Sequence, residues 1–186
     1  MKKVYEVTMG TQWSMIRALI TQVGFFVIVY EICSAYYGPD SAGGGAIVLI
    51  ICFTVFILVP CLIVHVQYLK YNLDLSVTID STERTISLSY SHAEHSFNFE
   101  EIKFVQVSLT PPIYRGGKFG WFIWENYCYA TLVSQGGERF IITGILINDP
   151  ETFFKKLGFI VTRKKMFFPF IWEDRYEKIV NPRSIS

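Results

Sequence analysis

From Ala46 to Val66 the chain reads AIVLIICFTVFILVPCLIVHV, without one formally charged side chain. A helix over this run, at ~1.5 Å per residue, reaches about 30 Å, the thickness of a bilayer's hydrocarbon core. A buried helix of a soluble protein is the alternative, and an uncharged apolar run of this length argues against it. Pro60 would break a soluble helix, whereas membrane helices tolerate proline when neighbouring groups satisfy the freed backbone.

A second apolar stretch lies upstream, from Ile16 to Tyr37. Arg17 at its start can snorkel to an interface. Glu31 sits inside it or near its far end, and at mid-membrane a carboxylate costs ~2.5–3.5 kcal/mol. Two readings follow for Glu31: a group near the outer interface, or a functional buried acid. The intervening YGPDSAGGG has turn chemistry, so the reading is a hairpin of two transmembrane helices, about 16–37 and 46–66. The loop carries Asp40 and neither Lys nor Arg, while Lys2, Lys3 and Arg17 precede the hairpin and Lys70 follows it. The positive-inside rule then predicts a multi-pass protein of the cell inner (plasma) membrane with both termini cytoplasmic. Trp13, Tyr68 and Tyr71 would stand at the inner interface, Tyr36 and Tyr37 at the outer one. The Met-Lys-Lys start suggests a signal peptide, but the apolar run begins late and no cleavage site or lipobox precedes Cys33, so no cleavage is expected.

The apolar share of the whole chain is 51% and the charged share 18%, against roughly 25% charged in an average soluble domain. An ordinary soluble enzyme is a poor match. A net charge of +1 gives no global field for nucleic acid. The cysteines at 33, 52, 61 and 128 form no C-x-x-C pair, which supports neither a disulfide framework nor a zinc site. Cys128 reads as a small core residue. His92 and His95 flank Glu94 with no adjacent third ligand. Glu100 and Glu101 would point to opposite faces of a strand. No G-x-S-x-G elbow is present, and Gly43-Gly44-Gly45 lacks the Lys-Ser/Thr of a phosphate loop. No catalytic residue, metal or cofactor is expected.

Residues 72–158 change character. Leu73, Leu75, Val77 and Ile79 alternate with polar residues, as do Ile86, Leu88 and Tyr90 across the turn Asp80–Arg84, predicting a hairpin. Further strands are predicted at His95–Phe99, Lys103–Leu109, Tyr127–Ser134 and Arg139–Thr143, the last two joined by a turn at Gly136-Gly137. Asn148 or Asp149 can cap a helix with Pro150 in its first turn, and Gly158 fits its end. The aromatic segment Phe119–Trp124 is expected to be buried.

The apolar spans, the meander, F-x-F-E-E-I-x-x-V at Phe97–Val105 and N-D-P-E-x-F-F-K-K-L at Asn148–Leu157 resemble bacterial membrane proteins with a pleckstrin-homology-like domain. The resemblance covers about residues 72–158. It implies a curled antiparallel sheet of seven strands closed at one end by a C-terminal helix. Six strands are placed by pattern, and the seventh falls to 119–124 or the tail. Relatives often bind phosphoinositides through a basic cluster on the first hairpin. The turn Asp80–Arg84, taken as that hairpin, holds Asp80, Glu83 and a single arginine, so the headgroup site is not carried over.

The fold class expected is therefore a transmembrane hairpin followed by an α+β, mostly antiparallel domain: segment 1–71, domain 72–158 and tail 159–186. The small net charge conceals a split, −5 over residues 71–154 and +5 over 155–186. Lys155, Lys156, Arg163, Lys164 and Lys165 precede the aromatics Phe167, Phe168, Phe170 and Trp172. That pattern suits either a solvated basic surface or a contact with anionic lipid. A second short helix is expected from Pro169 to before Pro182. The function expected is a membrane-anchored, cytoplasmic, non-catalytic binding or scaffolding module. Its partners would be membrane lipid and a protein, including a second copy through the spans, with no nucleic acid. The alternatives are a subunit of a transport or proton-coupled system using Glu31 and His65, and a membrane-bound enzyme.

Overall fold

β1 (Lys2–Tyr5) decides the topology, because it pairs antiparallel with β2 (Ser76–Asp80), Lys2 opposite Asp80 and Tyr5 opposite Val77. The computed structural model describes residues 2–38, 45, 48–49, 51–90, 93–117 and 122–171. The helices that the sequence placed ahead of the domain lie instead inside it, between its first two strands. The expected two-span hairpin preceding the domain is thus corrected on two counts. The sheet begins at the N-terminal strand. And among the described residues one helix, α2 (Ile51–Asn72), is long and apolar enough to cross a membrane, with only a shorter apolar stretch at Val23–Tyr37. Arg17 and Glu31 interrupt α1 (Met9–Tyr37), whereas α2 has no charge before Lys70.

α1 starts at a reciprocal cap: the Thr8 hydroxyl accepts from the Thr11 amide at 3.2 Å, and the Thr11 hydroxyl accepts from the Thr8 amide at 3.0 Å. α2 contains a π-helical turn, Thr54–Leu58, directly before Val59 and Pro60. Proline has no N–H and crowds the carbonyl four residues back, so the helix widens there instead of breaking. The two helices touch at Phe26 and Phe53, with ring centroids 4.1 Å apart.

The rest is two four-stranded sheets. The first runs β1-β2-β3-β4, with β3 at Thr85–Tyr90 and β4 at Ala93–Asn98; the second runs β7-β6-β5-β8. In the latter, β5 (Ile102–Leu109), β6 (Tyr129–Ser134) and β7 (Arg139–Thr143) are antiparallel neighbours. β8 (Val161–Lys165) joins β5 in parallel. A single turn, α3 (Pro111–Tyr114), follows β5, and α4 (Pro150–Lys156) follows β7. Alternation does what the sequence predicts: Val77, Ile79, Ile86, Leu88, Val105 and Val107 point into one core, closed by Phe154 of α4 at 0% exposure. Asp149 caps α4 by accepting from the Thr152 amide at 3.2 Å, and takes the left-handed conformation to do so, φ 52°. Gly158, φ 87°, turns the chain out of it.

The seventh strand is therefore β1, and the tail adds an eighth. Ile123 and Trp124 are buried in a short 3-10 turn, as expected, while Phe122 is half-exposed and 118–121 lie outside the described residues. The turn predicted between the helices falls mostly on 39–44, and the second helix of the tail on 172–186; both lie outside the described residues, as does Trp172.

Candidate functional site

The features without a purpose inside the core converge where α2 meets the domain. Cys61, Val64, Tyr68 and Asn72 recur at helical spacing and are the buried residues of the last turns of α2. They pack on Ile123, Tyr127, Tyr129, Ile141, Ile145 and Ile171. Two side-chain amides then lock the helix in place. Gln67 donates from Nε2 to the Ile171 carbonyl at 2.6 Å and accepts from the Ile171 amide at 3.0 Å. Asn72, fully buried, donates to the Ile141 carbonyl at 3.1 Å and accepts from the Thr143 amide at 2.7 Å. β7 is an edge strand. Asn72 satisfies the Ile141 carbonyl and the Thr143 amide of this open edge as a neighbouring strand would.

Aromatic groups complete the joint. Tyr68 donates to the Pro169 carbonyl at 2.9 Å and meets Tyr127 and Tyr129 edge-on. His65 Nδ1 lies 2.9 Å from the Tyr127 hydroxyl. Burial, with Cys61 alongside, pushes the Tyr127 phenol far above its usual range, so it stays protonated. Phe122, Trp124, Phe168 and Phe170 stack in sequence, at 4.5, 5.4 and 5.3 Å between centroids.

Beyond the joint the helices are apolar and uncovered. Among the described residues, sixteen large apolar side chains, between Ile20 and Ile32 in α1 and between Val48 and Val66 in and before α2, are each at least 37% exposed. At ~100 Å² each they present well over the roughly 300–600 Å² of the largest apolar patch on a typical monomer. Only 17% of the most apolar stretch of α2 is buried, unlike the core helix of a soluble protein.

The structure separates the predicted site residues. Lys155 and Arg163 both bond Glu151, the guanidinium through Nη2 at 2.6 Å and Nε at 2.8 Å. Burial pushes the Glu151 carboxyl up, but the hydrogen bonds from Arg163 and Lys155 outweigh it and hold it below the usual range. Arg163 thereby ties β8 to α4, while Lys155 pairs with Glu151 within α4. Lys156 is exposed at the end of α4; Lys164 and Lys165 are exposed at the far end of β8. Glu31 is exposed on α1, ~33 Å along the helix from Met9, whereas His65 lies ~10 Å from the end of α2 at Asn72. The two ionisable groups are not brought together.

The seven strands β1–β7 closed by α4 decide the family, and a family model described as a PH domain matches residues 4–156. The chain belongs to the PH domain family. The match runs from β1 through the helices to the end of α4, so the helical stretch lies within the PH domain, and β8 lies beyond it. Neither the curated proteins nor the solved structures yield a match. A PH domain of this build points to a binding or scaffolding module. Pairing of β1 with β2 also moves the first hairpin of the domain: its connection is the helical stretch 6–75, and Asp80–Arg84 is the second turn. Sequence reasoning missed β1, which is only KKVY, and missed Gln67 and Asn72. The available signal was two amides at the end of an uncharged run, where charged residues would have served an interface better.

Proposed function

We propose that this protein is a membrane-embedded PH domain, a non-catalytic binding or scaffolding module held on the cytoplasmic face of the inner membrane by the helical stretch between β1 and β2. The observation that carries the reading is the uncovered apolar surface of α1 and α2 beside a fully packed β domain. Since β1 pairs with β2, both ends of the stretch return to one side of the bilayer. Arg17 and Lys70 lie toward that side, which supports a cytoplasmic placement. The clamps at Gln67 and Asn72 make the domain rigid with the helix, so a partner meets it at fixed height and orientation. Such a partner gains from the high effective concentration of a shared membrane.

Crosslinking of the full chain in native membranes, with identification of what is captured, tests the module. A reproducible protein adduct through the β domain of membrane-retained chain supports the reading. Release of the chain by alkaline carbonate overturns the membrane placement, and absence of any adduct overturns the scaffolding role.

A further inference from the structure

We infer that the strap following β8, with Phe167 at its tip and Lys164 and Lys165 at its root, is a second membrane contact that lies in the anionic headgroup layer; the inference rests on the membrane reading above. The strap is placed by its bonds. Met166 donates its amide to the Leu109 carbonyl at 2.8 Å, and its sulfur accepts from the Tyr129 hydroxyl at 3.4 Å. Five residues on, Ile171 is held by Gln67, and Pro169 by Tyr68. Gln67 and Tyr68 follow Val66, the last residue of the apolar stretch Ala46–Val66, and the first charge after it is Lys70. The strap is therefore fixed at the level where the apolar helix ends, which is where hydrocarbon gives way to headgroups.

Its composition fits that level. Phe168 and Phe170 are held in the stack with Trp124, yet Phe167 between Lys165 and that stack is 82% exposed. Among the described residues this ring meets Phe168, at 6.1 Å between centroids, and stays largely uncovered; aromatic rings partition to the boundary between water and lipid. Lys164 and Lys165 are both exposed at the C-terminal end of the edge strand β8, one and two residues before Met166, whereas Lys155 and Arg163 are engaged by Glu151. So the lipid-facing part of the basic segment shrinks to its membrane-proximal end. An anionic headgroup surface is the occupant that both the ring and the two ammonium groups suit.

The test uses the full chain in vesicles of phosphatidylcholine with phosphatidylglycerol. A photoreactive phenylalanine analogue replaces Phe167, and in separate preparations Phe56 on α2 or Glu83 on the β2–β3 turn. Lipid adducts are read by mass spectrometry. The inference expects lipid adducts from 56 and 167 and none from 83. It also expects the K164E/K165E double variant to lower the yield at 167 by about threefold or more, and only when phosphatidylglycerol is present. Lipid adducts at 56 without any at 167, or adducts at 167 to a protein chain alone, overturn the strap contact and leave the membrane reading standing. Absence of lipid adducts at 56 overturns both.

Discussion

Asn72→Leu probes the joint between helix and domain most sharply. The side chain is 0% exposed, and its amide is the partner of the Ile141 carbonyl and the Thr143 amide. Leucine has nearly the same size and shape, so it keeps the packing and excludes water while removing both bonds. A buried backbone group left unpaired costs ~1–3 kcal/mol, so the two together cost about 2–6 kcal/mol. For a chain of this size, at roughly 2–4 °C per kcal/mol, that is a fall in Tm of about 4–24 °C. Thermal unfolding of the detergent-solubilised protein, followed by near-UV circular dichroism, measures the loss. Hydrogen exchange at the Thr143 amide locates it, because that proton loses its acceptor. A fall in stability under ~0.5 kcal/mol, with Thr143 exchange unchanged, would refute the strand-edge role of Asn72.

Gln67→Leu should cost less, about 1 kcal/mol, since this joint is half-buried and water can replace the amide; strap proteolysis near Ile171 should rise in parallel. Asp149→Ala should cost about 1–2 kcal/mol, from the lost cap and the left-handed backbone, and Asp149→Asn much less, as read by denaturant unfolding. Burial pushes the Tyr90 phenol up to about 12. A raised tyrosine stabilises the fold fully below the unfolded value near 10 and loses that contribution as pH climbs to about 12, at ~1.4 kcal/mol per pH unit; Tyr90→Phe should flatten the alkaline side of the stability profile. The depressed Glu151 works in the opposite direction: its contribution is present above the ordinary glutamate range and lost as pH falls through the lowered value, so Glu151→Gln should flatten the acid side, with under ~1 kcal/mol lost at neutral pH because both cationic partners are half-exposed.

Period-two alternation made most of the domain legible, since a half-buried strand must alternate: β7 falls where Arg139–Thr143 was expected, and Val77, Ile79, Ile86 and Leu88 face the core. The helix signal at Asp149-Pro150 held for the same reason, because cap and proline constraints act locally. β1 was hidden because a strand of four residues carries no period and gains its stability from a partner that lies more than seventy residues away. That long-range pairing turned a hairpin ahead of a domain into an insertion within one. The amide clamps were hidden likewise: glutamine and asparagine next to an apolar run look like an interface boundary until the strand edge and the strap they satisfy are placed beside them. The basic cluster split once Glu151 was seen to hold Arg163 and Lys155, a contact across twelve residues in one case.

The central claim, a PH domain closed around an insertion that sits in the bilayer, is tested most directly by a disulfide between β1 and β2 in membrane-bound protein. Val4 and Thr78 are register partners. The V4C/T78C variant, oxidised in native membranes and then washed with alkaline carbonate, should remain in the pellet and migrate as the crosslinked monomer. Membrane-retained chain that stays uncrosslinked, or crosslinked chain that is washed free, would contradict the account.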